Sequence, residues 1–178
     1  MKSGSIKLIM SLRFGILTVS DRSARGERPD ASGPALAKVI AEQEWILTRQ
    51  EILPDDLARL KEVLAGWADS GELDILLTTG GTGFSRRDVT PEATQAVVDR
   101  LAPGLAEAMR AASLQLTPHA MLSRATAGIR GATLIVNLPG NPKAAVENLL
   151  VILPVLPHAV QLLTGDPQAE AGHRSSSN

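Results

Sequence analysis

Three polar segments contain residue types that bind phosphate groups and metal ions, namely residues 20–30, 80–88 and 139–143. The sharpest of them is Gly80-Gly81-Thr82-Gly83, which places three glycines among four residues. Glycines let backbone N–H groups approach an oxyanion closely and adopt left-handed conformations. The segment has neither the Gly-Lys-Ser/Thr ending of a P-loop nor the G-x-G-x-x-G spacing of a dinucleotide site. It therefore predicts a phosphate-binding loop of another kind, with a tight turn that binds nothing as the alternative.

Three charged residues, Arg86-Arg87-Asp88, lie just beyond this loop. Guanidinium groups suit phosphate, and a carboxylate suits a metal ion or a polar ring nitrogen. The alternative is a solvated cluster of charges. Asp55 and Asp56 offer two more carboxylates, although aspartates just before a helix are more often N-caps than metal ligands.

Residues 139–143, Pro-Gly-Asn-Pro-Lys, favour an anion at the start of a helix. Asn141 can cap the helix, Pro142 fits its first position, and Lys143 adds a positive charge. Ser20 and Asp21 end another apolar segment and are compatible with capping or turn roles. Taken alone, each of these features is weak evidence for a site.

The elements around these loops predict their relative placement. Apolar segments at 14–19, 46–53 and 74–79 indicate strands, and 126–129 with 132–138 indicates a hairpin. Helical patterns begin near Ser32 and Thr90, which are candidate N-caps, and near residues 55, 104 and 142, with Pro154 and Pro157 breaking the last. This order predicts a three-layer α/β sandwich with a mostly parallel mixed sheet. Because ligands bind outside the carboxyl ends of parallel strands, we expect the three polar loops to converge on one pocket.

Composition excludes several classes of function. A net charge of −1 and only two Trp and two Phe give no footprint for nucleic acid or anionic membrane. The absence of cysteine excludes disulfides and thiolate sites and fits the cytoplasm. The three histidines have no metal-ligand spacing, no G-x-S-x-G elbow is present, and no apolar run approaches the roughly 20 residues that span a bilayer. We predict one domain over residues 13–165, with flexible ends at 1–12 and 166–178.

The combination of motifs resembles the molybdopterin adenylyltransferase family, which includes the bacterial Mog-type enzymes and is similar to domains of plant Cnx1 and animal gephyrin. The resemblance covers about residues 13–163. The motifs that carry it are Thr18-Val19-Ser20-Asp21, Asp30-x-Ser32-Gly33, Pro54-Asp55, Thr79-Gly80-Gly81-Thr82-Gly83, Arg87-Asp88-Val89-Thr90-Pro91-Glu92-Ala93-Thr94, Leu122-Ser123-Arg124 and Asn137-Leu138-Pro139-Gly140-Asn141-Pro142-Lys143. The block at residues 87–94 is the most specific of them.

The resemblance implies a molybdopterin-binding fold, a homotrimer, and adenylyl transfer from Mg-ATP to molybdopterin, whose product primes molybdenum insertion by another protein. It implies that Asp55 and Asp88 are catalytic and that at least one of them helps to hold Mg²⁺ or the pterin. The implied substrate-binding residues are Ser20, Asp21, Gly80, Gly81, Thr82, Gly83, Ser123, Pro139, Gly140, Asn141 and Lys143. Asn141 departs from the pattern, because many relatives carry serine there.

Two alternatives come from other functional classes. The first is a paralogue that binds molybdopterin without transferring anything. The second is another enzyme on the same fold, such as a molybdate-inserting protein or a nucleotide-cleaving relative, although inserting enzymes carry large further domains. Pyrophosphate release from ATP in the presence of the pterin discriminates among these interpretations.

Overall fold

The computed structural model describes residues 11–167 and 169, so most of both predicted flexible ends lies outside the described part of the chain. Six strands form one sheet in the order β2-β1-β3-β6-β5-β4. They are β1 (Arg13–Val19), β2 (Ile46–Leu53), β3 (Ile75–Thr79), β4 (Arg100–Leu101), β5 (Ala127–Arg130) and β6 (Thr133–Leu138). Strands β2, β1, β3 and β6 run parallel, whereas β5 is antiparallel to β6 and β4 is antiparallel to β5. The predicted mostly parallel mixed sheet and its hairpin are confirmed.

Seven α-helices among the described residues lie between the strands or follow the last of them. They are α1 (Asp21–Ala24), α2 (Ser32–Glu42), α3 (Leu57–Asp69), α4 (Thr90–Val97), α5 (Pro103–Leu114), α6 (Pro142–Ile152) and α7 (Leu156–Leu163), with 3-10 turns at Pro118–Leu122 and Leu153–Val155. The prolines at 154 and 157 interrupt the last helix as predicted, because proline lacks the N–H that a continuous helix needs.

Two predicted caps are wrong. Ser32 is the first residue of α2 and does not cap it. The cap is the Asp30 carboxylate, which accepts hydrogen bonds from Ser32 N and Gly33 N, both at 3.1 Å. Thr90 likewise lies inside α4, and its hydroxyl donates to Gly80 O at 2.9 Å. The Thr90 hydroxyl is thus occupied by a tertiary contact, whereas the Ser32 hydroxyl makes a local one, donating to Asp30 Oδ1 at 3.2 Å.

Helices cover both faces of the sheet, so the inner strands β1, β3 and β6 are buried on both sides, whereas the edge strands β2 and β4 remain largely exposed. Alternation along β3 shows the division: Ile75 and Leu77 belong to one apolar cluster, and Leu76 belongs to the other. The first cluster includes α2, α5, α6 and α7, and the second includes α3 and α4. Three-layer packing of this kind explains why the sequences of the inner strands are continuous apolar runs.

The segment Pro142–Leu163 is long and apolar enough to cross a membrane by length and composition, a test that the core helix of a soluble protein also passes. In the structure this segment is α6, a 3-10 turn and α7. Its inward residues Leu149, Ile152, Leu156 and Val160 are fully buried in the first apolar cluster. In this structure the segment therefore packs against the sheet through one apolar face, as part of a helical layer.

Candidate active site

The loops after β3 and β6 lie side by side, because these strands are parallel neighbours whose last residues, Thr79 and Leu138, are in register. Thr79 Oγ1 donates to Pro139 O at 2.7 Å, and Gly80 N donates to Leu138 O at 3.1 Å. A Cβ atom on Gly140 would lie only 3.1 Å from Gly80 Cα. The two loops therefore approach so closely that a side chain at position 140 would press against the backbone of Gly80.

The glycine loop has the left-handed conformation that its composition predicts. Gly80 has a φ of 101° and Gly81 a φ of 64°. A Cβ on Gly80 would collide with Val19 O, and one on Gly81 would collide with Thr90 Oγ1. The backbone of this loop is thus packed between the end of β1 and the start of α4, with its amides held in place.

The three predicted loops converge on a cleft of about 650 Å³ at the carboxyl edge of the sheet. Its lining consists of residues 18–20, 23, 28–32, 55, 79–81, 88 and 140–142, and Asp21 is not part of it. The cleft also contains Arg28, an exposed cation that makes no ion pair within the described residues. This volume lies within the range of pockets that hold small-molecule ligands, about 300–1,000 Å³.

A second cavity of about 290 Å³ lies on the other side of the same loops. Thr82, Gly83 and Pro139 line this cavity, whereas their neighbours Gly80, Gly81 and Gly140 line the larger cleft. The remaining lining comes from α5, residues 117–125 and α6, and it is mostly apolar apart from a few polar side chains. The glycine loop is therefore the wall between two cavities, which the sequence did not predict.

Asp55 is held in a reciprocal pair with Asp21. Asp21 N donates to Asp55 Oδ2 and Asp55 N donates to Asp21 Oδ1, both at 3.1 Å. Burial raises the pKa of the half-buried Asp55 carboxyl, the charges of Asp21 and Asp88 raise it further, and the Asp21 N–H opposes them. Asp56, by contrast, caps α3 by accepting from Arg59 N at 2.9 Å. The two adjacent aspartates thus divide into a cleft residue and a cap.

Asp21 is paired with Arg87, whose Nε and Nη2 donate to the two carboxylate oxygens at 2.9 and 2.8 Å. This bidentate hydrogen bonding lowers the pKa of Asp21. Arg87 is one of the two guanidiniums predicted to suit phosphate, and here its charge is already matched by a carboxylate. Arg86 is exposed and lines neither cavity.

Asp88 lines the larger cleft and stabilises the turn after the glycine loop. Its Oδ2 accepts from Ser85 N at 3.0 Å and would lie 2.9 Å from a Cβ on Gly83. Its other carboxylate oxygen accepts no hydrogen bond from the described residues. The carboxylates of Asp55 and Asp88 therefore both face the cleft, and each has one oxygen that accepts no hydrogen bond from the described residues.

Arg124 stands in the Leu122-Ser123-Arg124 motif, but the sequence assigned it no role. It donates from Nε to Gly83 O and from Nη2 to Asp88 O, each at 2.7 Å, and it pairs with Glu92. Its backbone N also donates to Thr82 O at 2.9 Å. Arg124 thus fixes the glycine loop against α4. No local pattern signals this role, because its partners are backbone carbonyls about 35–40 residues away in the chain.

The other predicted site residues lie in different places. Ser20 lines the larger cleft and caps α1, accepting from Ser23 N at 3.2 Å, and Asn141 caps α6, accepting from Ala144 N at 3.1 Å. Ser123 lines the second cavity. Lys143 lines neither cavity: its side chain is 85% exposed and lies 3.8 Å from Glu147.

The donor set of the cleft fits Mg²⁺. Mg²⁺ usually takes one or two carboxylates, several waters and the phosphates of a substrate, in preference to a cage made only of protein ligands. Asp55 and Asp88 offer two such carboxylates, while no group of three or more acidic, His or Cys side chains able to hold a metal occurs among residues 11–167 and 169.

Comparison with known proteins agrees with this architecture. The family described as "Probable molybdopterin binding domain" matches residues 15–158. The chain belongs to this family. The molybdopterin adenylyltransferase of Helicobacter pylori strain J99 is 40% identical to it over 162 residues, which cover 89% of this chain and 91% of that protein. Gephyrin of Dictyostelium discoideum is 42% identical over 173 residues, which cover 90% of this chain but only 24% of gephyrin.

A solved structure extends the family resemblance to the fold. The crystal structure of the molybdopterin biosynthesis enzyme MoaB from Thermus thermophilus superimposes with a TM-score of 0.82 and 53% sequence identity. The match covers 88% of this chain and 98% of the Thermus chain. The molybdopterin-binding-domain fold predicted from the motifs is therefore confirmed.

Proposed function

We propose that this protein transfers the adenylyl group of ATP to molybdopterin, releasing pyrophosphate. The observation that carries this proposal is the pair of cavities on either side of one glycine loop. A transfer between two phosphate-bearing substrates needs two adjacent binding sites, so that the reacting phosphates are held next to each other. Relatives named molybdopterin adenylyltransferase support the same reaction.

The two substrates differ in size and polarity, and so do the cavities. The larger cleft, with Ser20, Asp55, Asp88 and the unpaired Arg28, suits the nucleotide and its charged phosphates. The smaller cavity has a mostly apolar lining beside Ser123 and suits the bicyclic pterin. The terminal phosphate of molybdopterin then lies at residues 80–83, between the two cavities.

The chemistry needs no dedicated base. An oxygen of the molybdopterin phosphate, already ionised near neutral pH, attacks the α-phosphorus of ATP, and the bond from this phosphorus to the bridging oxygen of pyrophosphate breaks. The protein must align the two phosphates and stabilise the negative charge. The amides of the glycine loop and the guanidinium of Arg28 can do this, since fixed donors cost little reorganisation when charge develops.

We assign Asp55 and Asp88 to Mg²⁺, which neutralises charge on the triphosphate when it is bound. The raised pKa of Asp55 follows from burial and from the neighbouring carboxylates, and a divalent cation would relieve that repulsion. Asp21 remains paired with Arg87 and orients Asp55 through the two reciprocal N–H bonds.

We further propose that the protein acts in the cytoplasm as a homotrimer and hands its product to a molybdenum-insertion protein. Apolar residues on the outer side of the α6–α7 segment support an assembly: Leu150, Val155 and Leu162 are 50–51% exposed. Sedimentation equilibrium at micromolar concentration should give three times the chain mass of 18.8 kDa. A clean monomer would contradict the trimer.

The activity is tested by incubating the purified protein with Mg-ATP and molybdopterin. Pyrophosphate should appear only when molybdopterin is present, and mass spectrometry should detect the adenylylated pterin. Binding of molybdopterin without any pyrophosphate release would instead identify a non-catalytic paralogue and would overturn the proposal.

A further inference from the structure

The second cavity contains a buried amide whose oxygen has no partner. Asn148, on α6, is only 6% exposed and lines this cavity. Its Nδ2 donates to Ala144 O at 2.8 Å and to Ser113 Oγ at 3.0 Å. Both hydrogens of the amide nitrogen are therefore used, and Oδ1 accepts no hydrogen bond from any described residue.

The orientation of this amide is fixed by chemistry. A backbone carbonyl can only accept a hydrogen bond, so the nitrogen and not the oxygen must face Ala144. No fully buried side-chain oxygen or nitrogen in the described part of the chain lacks a partner, so the Asn148 oxygen must reach the open space of the cavity. Water can satisfy this acceptor in the free protein, and a hydrogen-bond donor of a bound ligand can take the place of that water.

A cation completes the polar features of this cavity. Arg110 on α5 donates from Nε to Ser123 O at 3.1 Å and from Nη2 to Ala125 O at 3.0 Å. No acidic side chain within residues 11–167 and 169 pairs with it, and its Nη1 makes no hydrogen bond there. The cavity thus offers one fixed acceptor and one fixed cationic donor among apolar residues such as Met109 and Leu122.

We propose that Asn148 determines the specificity of the second cavity by accepting a hydrogen bond from the 2-amino group of a pterin ring, while Arg110 donates to the 4-oxo group. The inference rests on the proposed function, because it assigns this cavity to the pterin substrate. A pterin presents an amino donor and a carbonyl acceptor on one edge of a flat bicyclic ring, which matches these two side chains. At about 290 Å³ the cavity lies at the lower limit of ligand pockets, about 300 Å³, and suits a single ring system.

A pair of probes isolates the amino group. 6-Hydroxymethylpterin phosphate carries the 2-amino group, and the lumazine with the same side chain carries an oxygen at that position. Both retain the 4-oxo group and the phosphate. In wild type the lumazine places an acceptor against Asn148 Oδ1, so we expect it to bind at least about tenfold more weakly, equivalent to about 1.4 kcal/mol.

Variants at two positions separate recognition from structural support. Asn148→Leu should bring the affinities of the two probes within about twofold of each other, because a leucine accepts no hydrogen bond. Ser113→Ala deletes a hydrogen bond to Asn148 but leaves Oδ1 in place, so it should keep the preference for the pterin. Arg110→Met should lower the affinities for both probes by the same factor, since both carry the 4-oxo group.

The measurement is a fluorescence titration of each probe, with circular dichroism as the check of folding and ATP affinity as the internal control. Asn148→Ala replaces Asn148→Leu if the latter does not fold. Equal affinities of the two probes for wild type, or equal loss of preference in Ser113→Ala and Asn148→Leu, would refute the assignment. These outcomes leave the proposed reaction standing if molybdopterin-dependent pyrophosphate release is observed, so the two ideas fail separately.

Discussion

The two ends of the sheet use similar residues in opposite ways. At the amino end, Asp74 accepts from Arg13 Nη2 at 2.7 Å, and Asp69 accepts from Arg130 Nε and Nη2 at 2.9 and 2.7 Å. A hollow of about 330 Å³ lies among these pairs, so volume alone does not distinguish the ends. The difference is that every one of these carboxylates has a guanidinium partner of its own.

At the carboxyl end, Asp55 has no cation of its own, and burial raises its pKa. Asp69 shows the reverse, because the Arg130 side chain lowers its pKa. A protein gains stability from carboxylates that are paired and loses it where a carboxylate is left in a cleft. We take the unpaired charge at the carboxyl end as a mark of function, and the following predictions test that comparison.

The largest effect is expected for glycine-to-alanine substitutions at the two ends. Gly81→Ala should destabilise the protein by more than about 2 kcal/mol, because left-handed strain adds to a collision with Thr90 Oγ1. Gly71 is the matched control: its φ is 72°, and an added Cβ meets nothing within 4 Å. Gly71→Ala should cost only the strain, about 1–2 kcal/mol. Urea unfolding of both variants measures the difference, and equal losses would contradict the packed glycine loop.

Removing a single negative charge should affect activity at one end only. Asp88→Asn keeps the size and the hydrogen bond from Ser85 N, and we expect turnover to fall at least about tenfold, or about 1.4 kcal/mol of barrier. Asp69→Asn at the amino end should leave turnover unchanged. Steady-state pyrophosphate release measures both. Full activity in Asp88→Asn would remove this carboxylate from the catalytic set.

The same comparison predicts opposite changes in stability with pH. The Asp55 pKa is raised, so the folded state binds this proton more tightly and its charge opposes folding once the pH exceeds the ordinary value of about 4. Asp55→Asn should therefore be more stable than wild type at neutral pH, and the gain should vanish in acid.

For Asp69 the sign reverses. Its lowered pKa contributes stability that is complete above the ordinary value of about 4 and is lost as the pH falls through the folded-state pKa. Asp69→Asn should be the less stable variant at neutral pH and should match wild type in acid. Thermal unfolding from pH 2.5 to 7.5 distinguishes the two aspartates, and shifts of the same sign would break the comparison.

The smallest effect is expected for Thr82→Val. The Thr82 hydroxyl donates to no described residue, whereas the Thr133 hydroxyl at the amino end donates to Leu73 O at 3.0 Å. Thr133→Val should cost about 1 kcal/mol or more, and Thr82→Val less than about 0.5 kcal/mol. Calorimetry should find only a mild loss of phosphate-ligand binding in Thr82→Val. Loss of binding there, with normal binding in Gly81→Ala, would mean that the loop recognises phosphate through its side chain.

Local pattern was reliable where a short segment decides its own conformation. The apolar run before Gly80 predicts a buried strand and Asn141-Pro142 predicts a capped helix, and both are found. The left-handed backbone predicted for the glycine loop is found at Gly80 and Gly81 but not at Gly83. The motifs at residues 87–94 and 137–143 also identified the family. The pattern failed for Thr90 because its hydroxyl has a tertiary partner, Gly80 O, and for Ser32 because the neighbouring Asp30 carboxylate takes the capping role.

The tertiary structure alone decided which polar residues face the cavities and which stabilise the fold. Asp55 and Asp56 are adjacent and chemically identical, yet one faces the cleft and the other caps a helix. Arg124, Arg110 and Asn148 acquire their roles from backbone carbonyls and side chains far along the chain or across the helix layer. Sequence determines which conformations each segment favours, because those preferences depend on near neighbours. Burial, charge pairing and the division of one pocket into two depend on contacts between distant segments, which no local spacing encodes.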